Sequence, residues 1–141
     1  MPDAPIDSFA GEFEFLSNFH PCTVHLEGLS FPTVEHAFQA AKTHDIEERK
    51  RIRACASPGK AKAAGRRVLL RSDWEEVKLA VMESLVREKF TAHDDLRKAL
   101  IATGDRELVE GNTWGDRFWG RVKGSGENHL GRIVTKVRKE L

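Results

Sequence analysis

Apolar residues recur at helical spacing in several blocks along the chain, and only one stretch alternates as a pair of strands would. Cys22-Thr23-Val24-His25-Leu26 and Leu29-Ser30-Phe31 flank Glu27-Gly28, a sequence suited to a tight turn, so a hairpin is expected there. Pro32-Thr33 opens a helix, with Thr33 as N-cap and residues 34 to about 43 as its body. Asp45 with Glu48 three residues on predicts a second helix over about 46–55. Ser57-Pro58 repeats that logic for a short third helix ending near Gly65. Ser72-Asp73 predicts the cap of a longer helix, with Val77, Ala80, Val81 and Leu85 facing the core. Asp94 starts another, with Leu96, Ala99 and Leu100 inward and Gly104 as its stop. Glu107-Leu108-Val109-Glu110 is a strand candidate, residues 111–126 read as a glycine-dense loop, and Asn128 leads into a last amphipathic helix carrying Leu130, Ile133, Val134 and Val137. Residues 1–8 read as a loose lead-in. The expected fold is therefore α+β, a compact single domain over 9–141, mostly helical with a few short strands.

Composition narrows this picture without changing it. A chain of 141 residues with 40% hydrophobic and 32% charged residues can bury one ordinary core. Lys and Arg number 23 against 22 Asp and Glu, a net charge of +1, which argues against a protein whose main task is tracking bare phosphate backbone. The run from Glu47 to Arg53 carries both signs and reads as a solvated helix face. Cys22 and Cys55 are too few and too irregularly placed for a disulfide framework or a metal knuckle, and read as small apolar residues in a reducing compartment. No apolar run reaches the roughly 20 residues of a membrane span. The first residues lack the pattern of a signal peptide, so a cytoplasmic location without membrane partners is expected. His36 and His44 have no ligand partner at useful spacing, and neither a metal nor a cofactor is expected.

Four stretches carry candidate chemistry. Glu35, Phe38, Gln39 and Lys42 fall at i, i+3, i+4 and i+7, hence on one helix face. A core stripe would not carry three polar groups, because burying them unpaired costs several kcal/mol, and a solvated stripe would not need Phe38. A cleft wall accommodates both, although Glu35 and Lys42 would also suit the two ends of a helix dipole. Asn112-Thr113-Trp114-Gly115-Asp116-Arg117-Phe118-Trp119-Gly120 places two tryptophans beside an acid, and flat rings stack planar bases or plug cores. The segment from Glu12 to Phe19, with Asn18 and Phe19, could line a pocket or lie as a buried arm. Gly124-Ser125-Gly126 ahead of the last helix could offer backbone N–H groups to a phosphate or be an ordinary turn.

These residues carry a resemblance. Phe15-Leu16-Ser17-Asn18-Phe19-x-Pro21, Thr33-Val34-Glu35-His36-Ala37-Phe38-Gln39-Ala40-x-Lys42, Asp116-x-x-Trp119-Gly120, Gly126-x-Asn128-x-Leu130-Gly131 and Val137-Arg138 resemble the signature of the NADAR (YbiA-like) family. Ser57-Pro58-x-x-Ala61-Lys62-x-x-Gly65-Arg66 is similar to its connecting segment. Thr135 stands where many members have Met, and Trp114-Gly115 add bulk before Asp116. The resemblance implies a compact α+β fold and N-glycosidase chemistry, on phosphoribosylated pyrimidine intermediates of riboflavin synthesis or on ADP-ribose attached to guanine in DNA or RNA. It also implies catalytic roles for Glu35, Asp116 and Lys42. Trp119, Trp74, Asn18, Phe19, Gln39, Gly126 and Asn128 are the expected substrate contacts.

Breaking a ribose–nitrogen bond needs negative charge near the anomeric carbon and a proton source near the base. Glu35 and Asp116 could divide those tasks in either order, Trp119 or Trp74 could hold the base, and Lys42 could capture C1 as a Schiff base. The reading requires the early helix and the tryptophan loop to line one hollow. ADP-ribosyl-guanine is placed first, with Arg49, Arg51, Arg66, Arg67 and Lys123 as candidate phosphate contacts. A non-catalytic ADP-ribose-binding module and a plain nucleic-acid-binding domain are the competing readings; retention of Glu35, Lys42 and Asp116 together counts against the first.

Overall fold

A computed structural model describes residues 3–141; Met1 and Pro2, the start of the expected lead-in, lie outside the described residues. Those residues form an α+β structure, mostly helical, in two compact units: Asn18–Lys89, and the chain up to Ser17 together with Phe90–Leu141.

In the first unit, strand β1 (Val24–Leu26) pairs antiparallel with β2 (Leu29–Phe31), with Val24 opposite Phe31 and Leu26 opposite Leu29. Glu27 and Gly28 both take positive φ, 47° and 87°, the geometry a two-residue hairpin turn requires. Arg49 steadies this turn: its Nη1 donates to Glu27 Oε2 at 2.9 Å and its Nε to the Thr43 carbonyl at 2.8 Å. Helix α1 (Val34–Ala40) is capped as its sequence predicts, Thr33 Oγ1 accepting from His36 N at 3.0 Å. Every residue of α1 is buried, as befits a helix enclosed by its neighbours, here α2 (Ile46–Arg53) and α3 (Pro58–Gly65). Asp45 caps α2 and Ser57 caps α3 through their side chains.

Helix α4 (Trp74–Ala92) departs from the expected face. Trp74, Met82, Leu85, Val86 and Phe90 are buried, whereas Val77 and Val81 are only half-buried and Ala80 is exposed. Trp74, Met82, Val86 and Phe90 join the expected Leu85 on the inward stripe, and Val77 and Val81 are left at its edge. Asp73 does not cap α4 with its carboxylate, which instead accepts Arg71 Nε and Nη2 at 2.6 and 3.0 Å. Its backbone carbonyl takes the N–H groups of Glu76 and Val77.

In the second unit the lead-in is tied rather than loose from Ile6 onward. Ile6 is buried, its N–H donates to the Glu107 carbonyl and its carbonyl accepts from Val109, both at 2.8 Å. The strand expected at 107–110 is only this isolated parallel bridge between Ile6 and Leu108. Gly11–Leu16 forms a short 3-10 helix. Helix α5 (Asp94–Ala102) buries Leu96 and Leu100 and ends before Gly104 at φ 62°. Helix α6 (His129–Glu140) buries Leu130, Ile133, Val134 and Val137 as the periodicity predicts.

Asn128, just before α6, is buried with φ 53°. Its Oδ1 accepts from Glu110 N at 3.0 Å and its Nδ2 donates to the Leu108 carbonyl at 3.0 Å. Asn tolerates this left-handed backbone better than most residues. Asn128→Ala is expected to strand two buried backbone groups and lower unfolding stability by about 2–4 kcal/mol, read by urea titration.

Candidate active site

Helix α1 carries the polar face that the spacing predicts. Thr33 fixes where the helix begins, and the Asn18 carbonyl accepts the otherwise unpaired N–H of Glu35 at 3.1 Å. The Glu35 side chain is then held inside the protein, 8% exposed, where Gln39 Nε2 donates to its Oε2 at 2.6 Å. Behind Gln39 lies Gly65 of α3, where an added Cβ would stand 1.9 Å from Gln39 Oε1, so only a glycine lets the two helices approach this closely. Gln39 Oε1 is itself buried without a hydrogen-bond partner.

At the far end of the same face, Lys42 is half-buried. Its carbonyl accepts from Arg71 N at 2.7 Å, and Arg71 Nη1 reaches the Ala41 carbonyl at 3.5 Å, which places a cation at the helix C-terminus. Phe38 packs on Trp74 with ring centroids 5.0 Å apart. His36, also buried, is held by structure: Nε2 meets the Cys55 carbonyl at 3.0 Å and Nδ1 meets Thr33 Oγ1 at 2.7 Å. Because the carbonyl can only accept, Nε2 carries the proton.

Electrostatics push the two ends of this face toward neutrality. Burial raises the pKa of Glu35 above the usual carboxylate range, against the opposing hydrogen bond from Gln39 and the charges of Lys62 and Lys42. Burial lowers the pKa of Lys42; Glu35 opposes that shift, and Arg66, Lys62 and Lys78 reinforce it. A protonated acid and an unprotonated amine are the forms that proton donation and nucleophilic attack require.

In the other unit, the loop around Asp116 is fastened by side chains instead of secondary structure. Asn112 clasps the Asp116 backbone, Oδ1 accepting its N–H at 3.1 Å and Nδ2 donating to its carbonyl at 2.8 Å. Asp116 Oδ1 accepts from Phe118 N and Trp119 N at 3.1 and 2.9 Å. Trp119 is partly exposed and meets Phe118 edge-on, with centroids 4.9 Å apart, while Phe118 stacks near His129 at 4.4 Å. Trp114, at the loop's outer edge, is 62% exposed, which rules out the core-plug reading for that ring.

Several of the expected contacts have structural neighbours of their own. Asn18 anchors α1 through its backbone, and its Nδ2 meets Met82 Sδ at 3.5 Å. Phe19 is exposed, Trp74 is buried against Phe38, and both groups of the Asn128 side chain are spent on backbone. In and after the glycine turn most backbone donors are already used. The N–H groups of Ser125, Glu127, Asn128, His129 and Leu130 all donate to backbone carbonyls. Gly126 is needed because a Cβ there would stand 2.4 Å from the Gly120 carbonyl oxygen. Arg49 cannot serve as a phosphate contact, being 1% exposed and bound to Glu27 and Thr43, and Arg51 is paired with Glu48 at 2.5 Å. Lys62 was not singled out by sequence reasoning, although it lies within the motif shared with the family. Among the described residues no cluster of His, Cys, Asp or Glu could hold a metal ion, and no helix is long and apolar enough to cross a membrane.

A buried acid and a half-buried amine thus share one helix face, with Phe38 packed on Trp74 beside them. The NADAR domain family matches residues 8–141. The N-glycosidase YbiA of Escherichia coli is 39% identical over 146 residues, covering 100% of this chain and 91% of that protein. An N-glycosidase of Nostoc punctiforme is 41% identical over 89% of this chain and 83% of its own length. A riboflavin biosynthesis protein of Vibrio vulnificus is 38% identical over 90% of this chain, which spans only 35% of that longer protein. The NMR structure of the E. coli protein YbiA superposes with a TM-score of 0.85 at 38% identity, over 99% of this chain and 86% of that one. The chain therefore belongs to the NADAR domain family and is an enzyme of the N-glycosidase class.

Gly65→Ala is expected to drive the Gln39 amide off Glu35, costing about 1–3 kcal/mol in urea unfolding and lowering turnover. Turnover and stability equal to the parent would show that the close α1–α3 approach has no such role.

Proposed function

We propose that this enzyme cleaves the bond between C1 of a phosphate-bearing ribose and the nitrogen of its base. The observation that carries the reading is the Glu35–Lys42 face of α1, where burial favours the uncharged form of both groups. Of the two substrate types, the phosphoribosylated pyrimidine intermediates of riboflavin synthesis now come first, because relatives from Vibrio vulnificus and Zea mays carry riboflavin biosynthesis names. ADP-ribose on guanine in nucleic acid is the second type and shares the same reacting bond. A protein that only bound ADP-ribose would gain nothing from holding a carboxyl in a dry setting at a cost in stability, so the binding-module reading is the weaker one.

In the proposed reaction the C1–N bond breaks with its electron pair going to the base nitrogen. The Glu35 carboxyl donates the proton that this nitrogen needs, and water adds to C1 while returning a proton to Glu35. Burial suits Glu35 to the acid's part. For an aminosugar that ring-opens, Lys42 supplies a second route. Its neutral amine adds to C1, the base departs as its amine, and water hydrolyses the resulting imine to the free sugar and Lys42.

Incubation with the phosphoribosyl pyrimidine and with ADP-ribosylated DNA, scored by mass for the released base, tests the activity. Glu35→Gln should lower kcat/KM about 100- to 10,000-fold. The sign of the Glu35 shift predicts that activity falls as Glu35 loses its proton, at a pH above the ordinary carboxylate range, and this alkaline limb should be absent in Glu35→Gln. Borohydride added during turnover should leave a covalent adduct on Lys42; an unmodified Lys42, together with near-normal turnover by Lys42→Ala, would eliminate the imine route.

A further inference from the structure

We infer that Gln39 is a positioning residue that keeps the acid proton of Glu35 on Oε1, the carboxyl oxygen that the amide does not touch. The inference rests on the reading of Glu35 as the proton donor and adds which of its two oxygens delivers the proton. Gln39 Nε2 lies 2.6 Å from Glu35 Oε2, and among the described residues it is the only hydrogen-bond donor to that carboxyl. An amide nitrogen donates and accepts nothing, so the oxygen facing it serves as an acceptor. In a protonated carboxyl the oxygen without the proton is the stronger acceptor. With Oε2 engaged in that part, the proton belongs on Oε1. The amide has little room to do otherwise. Gln39 is 4% exposed, and Gly65 of α3 stands along its length: a Cβ there would lie 1.9 Å from Oε1, 2.8 Å from Cδ and 3.0 Å from Cβ of Gln39. Gln39 Oε1 is buried without a partner, so the bond to Glu35 is the contact that fixes which way the amide faces. Turned over, it would set its own Oε1 against Glu35 Oε2, a pair held together only with the proton trapped between them.

The same contact assists the transfer. As the C1–N bond breaks, its electron pair goes to the base nitrogen, which takes the proton from Oε1. The carboxyl becomes a carboxylate, and its new charge spreads onto Oε2. The hydrogen bond from Nε2 is then made to an ionised acceptor and strengthens as that charge develops. Water adding to C1 returns one proton to Oε1 and restores the acid. A donor that favours the carboxylate must also temper the effect of burial, and Gln39 does so. Lys62 of α3 and Lys42 of α1 act in the same direction, as does His36 when protonated. Gln39 thus moderates the acid while defining where its proton sits.

Gln39→Met removes the donor while keeping an unbranched side chain of similar length. It should move the alkaline limb up by about one pH unit and lower kcat about tenfold, with KM little changed. Gln39→Glu keeps the volume but sets a second carboxyl against Oε2, which draws the shared proton off Oε1, so kcat should fall further, about 100-fold. Carbon-13 NMR of the Glu35 carboxyl reads its titration without turnover, and in Gln39→Met the midpoint should rise as the limb does. In the parent protein the Gln39 side-chain N–H signals should shift with the same midpoint as Glu35, a measurement that stands even if a variant unfolds. An unmoved Glu35 titration in Gln39→Met, or Gln39 N–H signals that ignore Glu35, would overturn the inference. A raised KM with kcat kept would also overturn it, making Gln39 a substrate contact instead. If Gln39 and Glu35 titrate together but Glu35→Gln turns over like the parent, the proton placement is retained and the acid's part in the reaction is dismissed.

Discussion

The dry setting of one carboxyl governs much of what surrounds it. A carboxylate taken from water without compensation costs several kcal/mol, and the chain meets that cost by biasing Glu35 toward its protonated form and giving it one short hydrogen bond from Gln39. Since the folded-state pKa of Glu35 lies above its unfolded value, its contribution to stability is complete only below the ordinary carboxylate range. That contribution is lost as pH rises through the raised value. At neutral pH the fold thus carries a standing destabilisation at Glu35.

The neighbours of Glu35 follow from that requirement. Thr33 and the Asn18 carbonyl settle the first turn of α1, Gly65 permits α3 to press Gln39 toward the acid, and Arg71 satisfies the carbonyls at the other end. A helix of only seven residues has little intrinsic stability, so these contacts, and not propensity, hold the face in register. The unpartnered Gln39 Oε1 is the polar group this arrangement leaves over.

Sequence reasoning reached the local signals well and the long-range ones poorly. The hairpin turn at Glu27-Gly28 and the caps at Thr33, Asp45 and Ser57 are written in adjacent residues, and the structure uses them as expected. The inward side of α4 was misjudged because helical periodicity alone cannot say whether Val77 or Met82 meets the neighbouring helices. The tie of Ile6 to Leu108 bridges about a hundred residues and has no local signature. For the site, the shared face of Glu35, Gln39 and Lys42 was legible from spacing, and the resemblance pointed to Asp116 and Trp119. The backbone duties of Asn128 and Asn18 were not legible, because an asparagine that clasps carbonyls and one that faces a ligand look alike in sequence. Arg49 was taken for a surface cation for the same reason: nothing beside it announces its burial.

The loop from Asn112 to Glu127 has no regular secondary structure, yet it is far from slack. Asn112 grips the Asp116 backbone, Asp116 grips the amides of Phe118 and Trp119, and the carbonyls of Arg117, Phe118, Trp119 and Gly120 receive N–H groups leading into α6. Its ordering entropy is therefore spent during folding, so a ring or carboxylate displayed there meets an incoming molecule already immobilised. Such a segment behaves as a stiff die: changes at its outer lip, where Trp114 projects, can alter what fits without loosening what lies beneath.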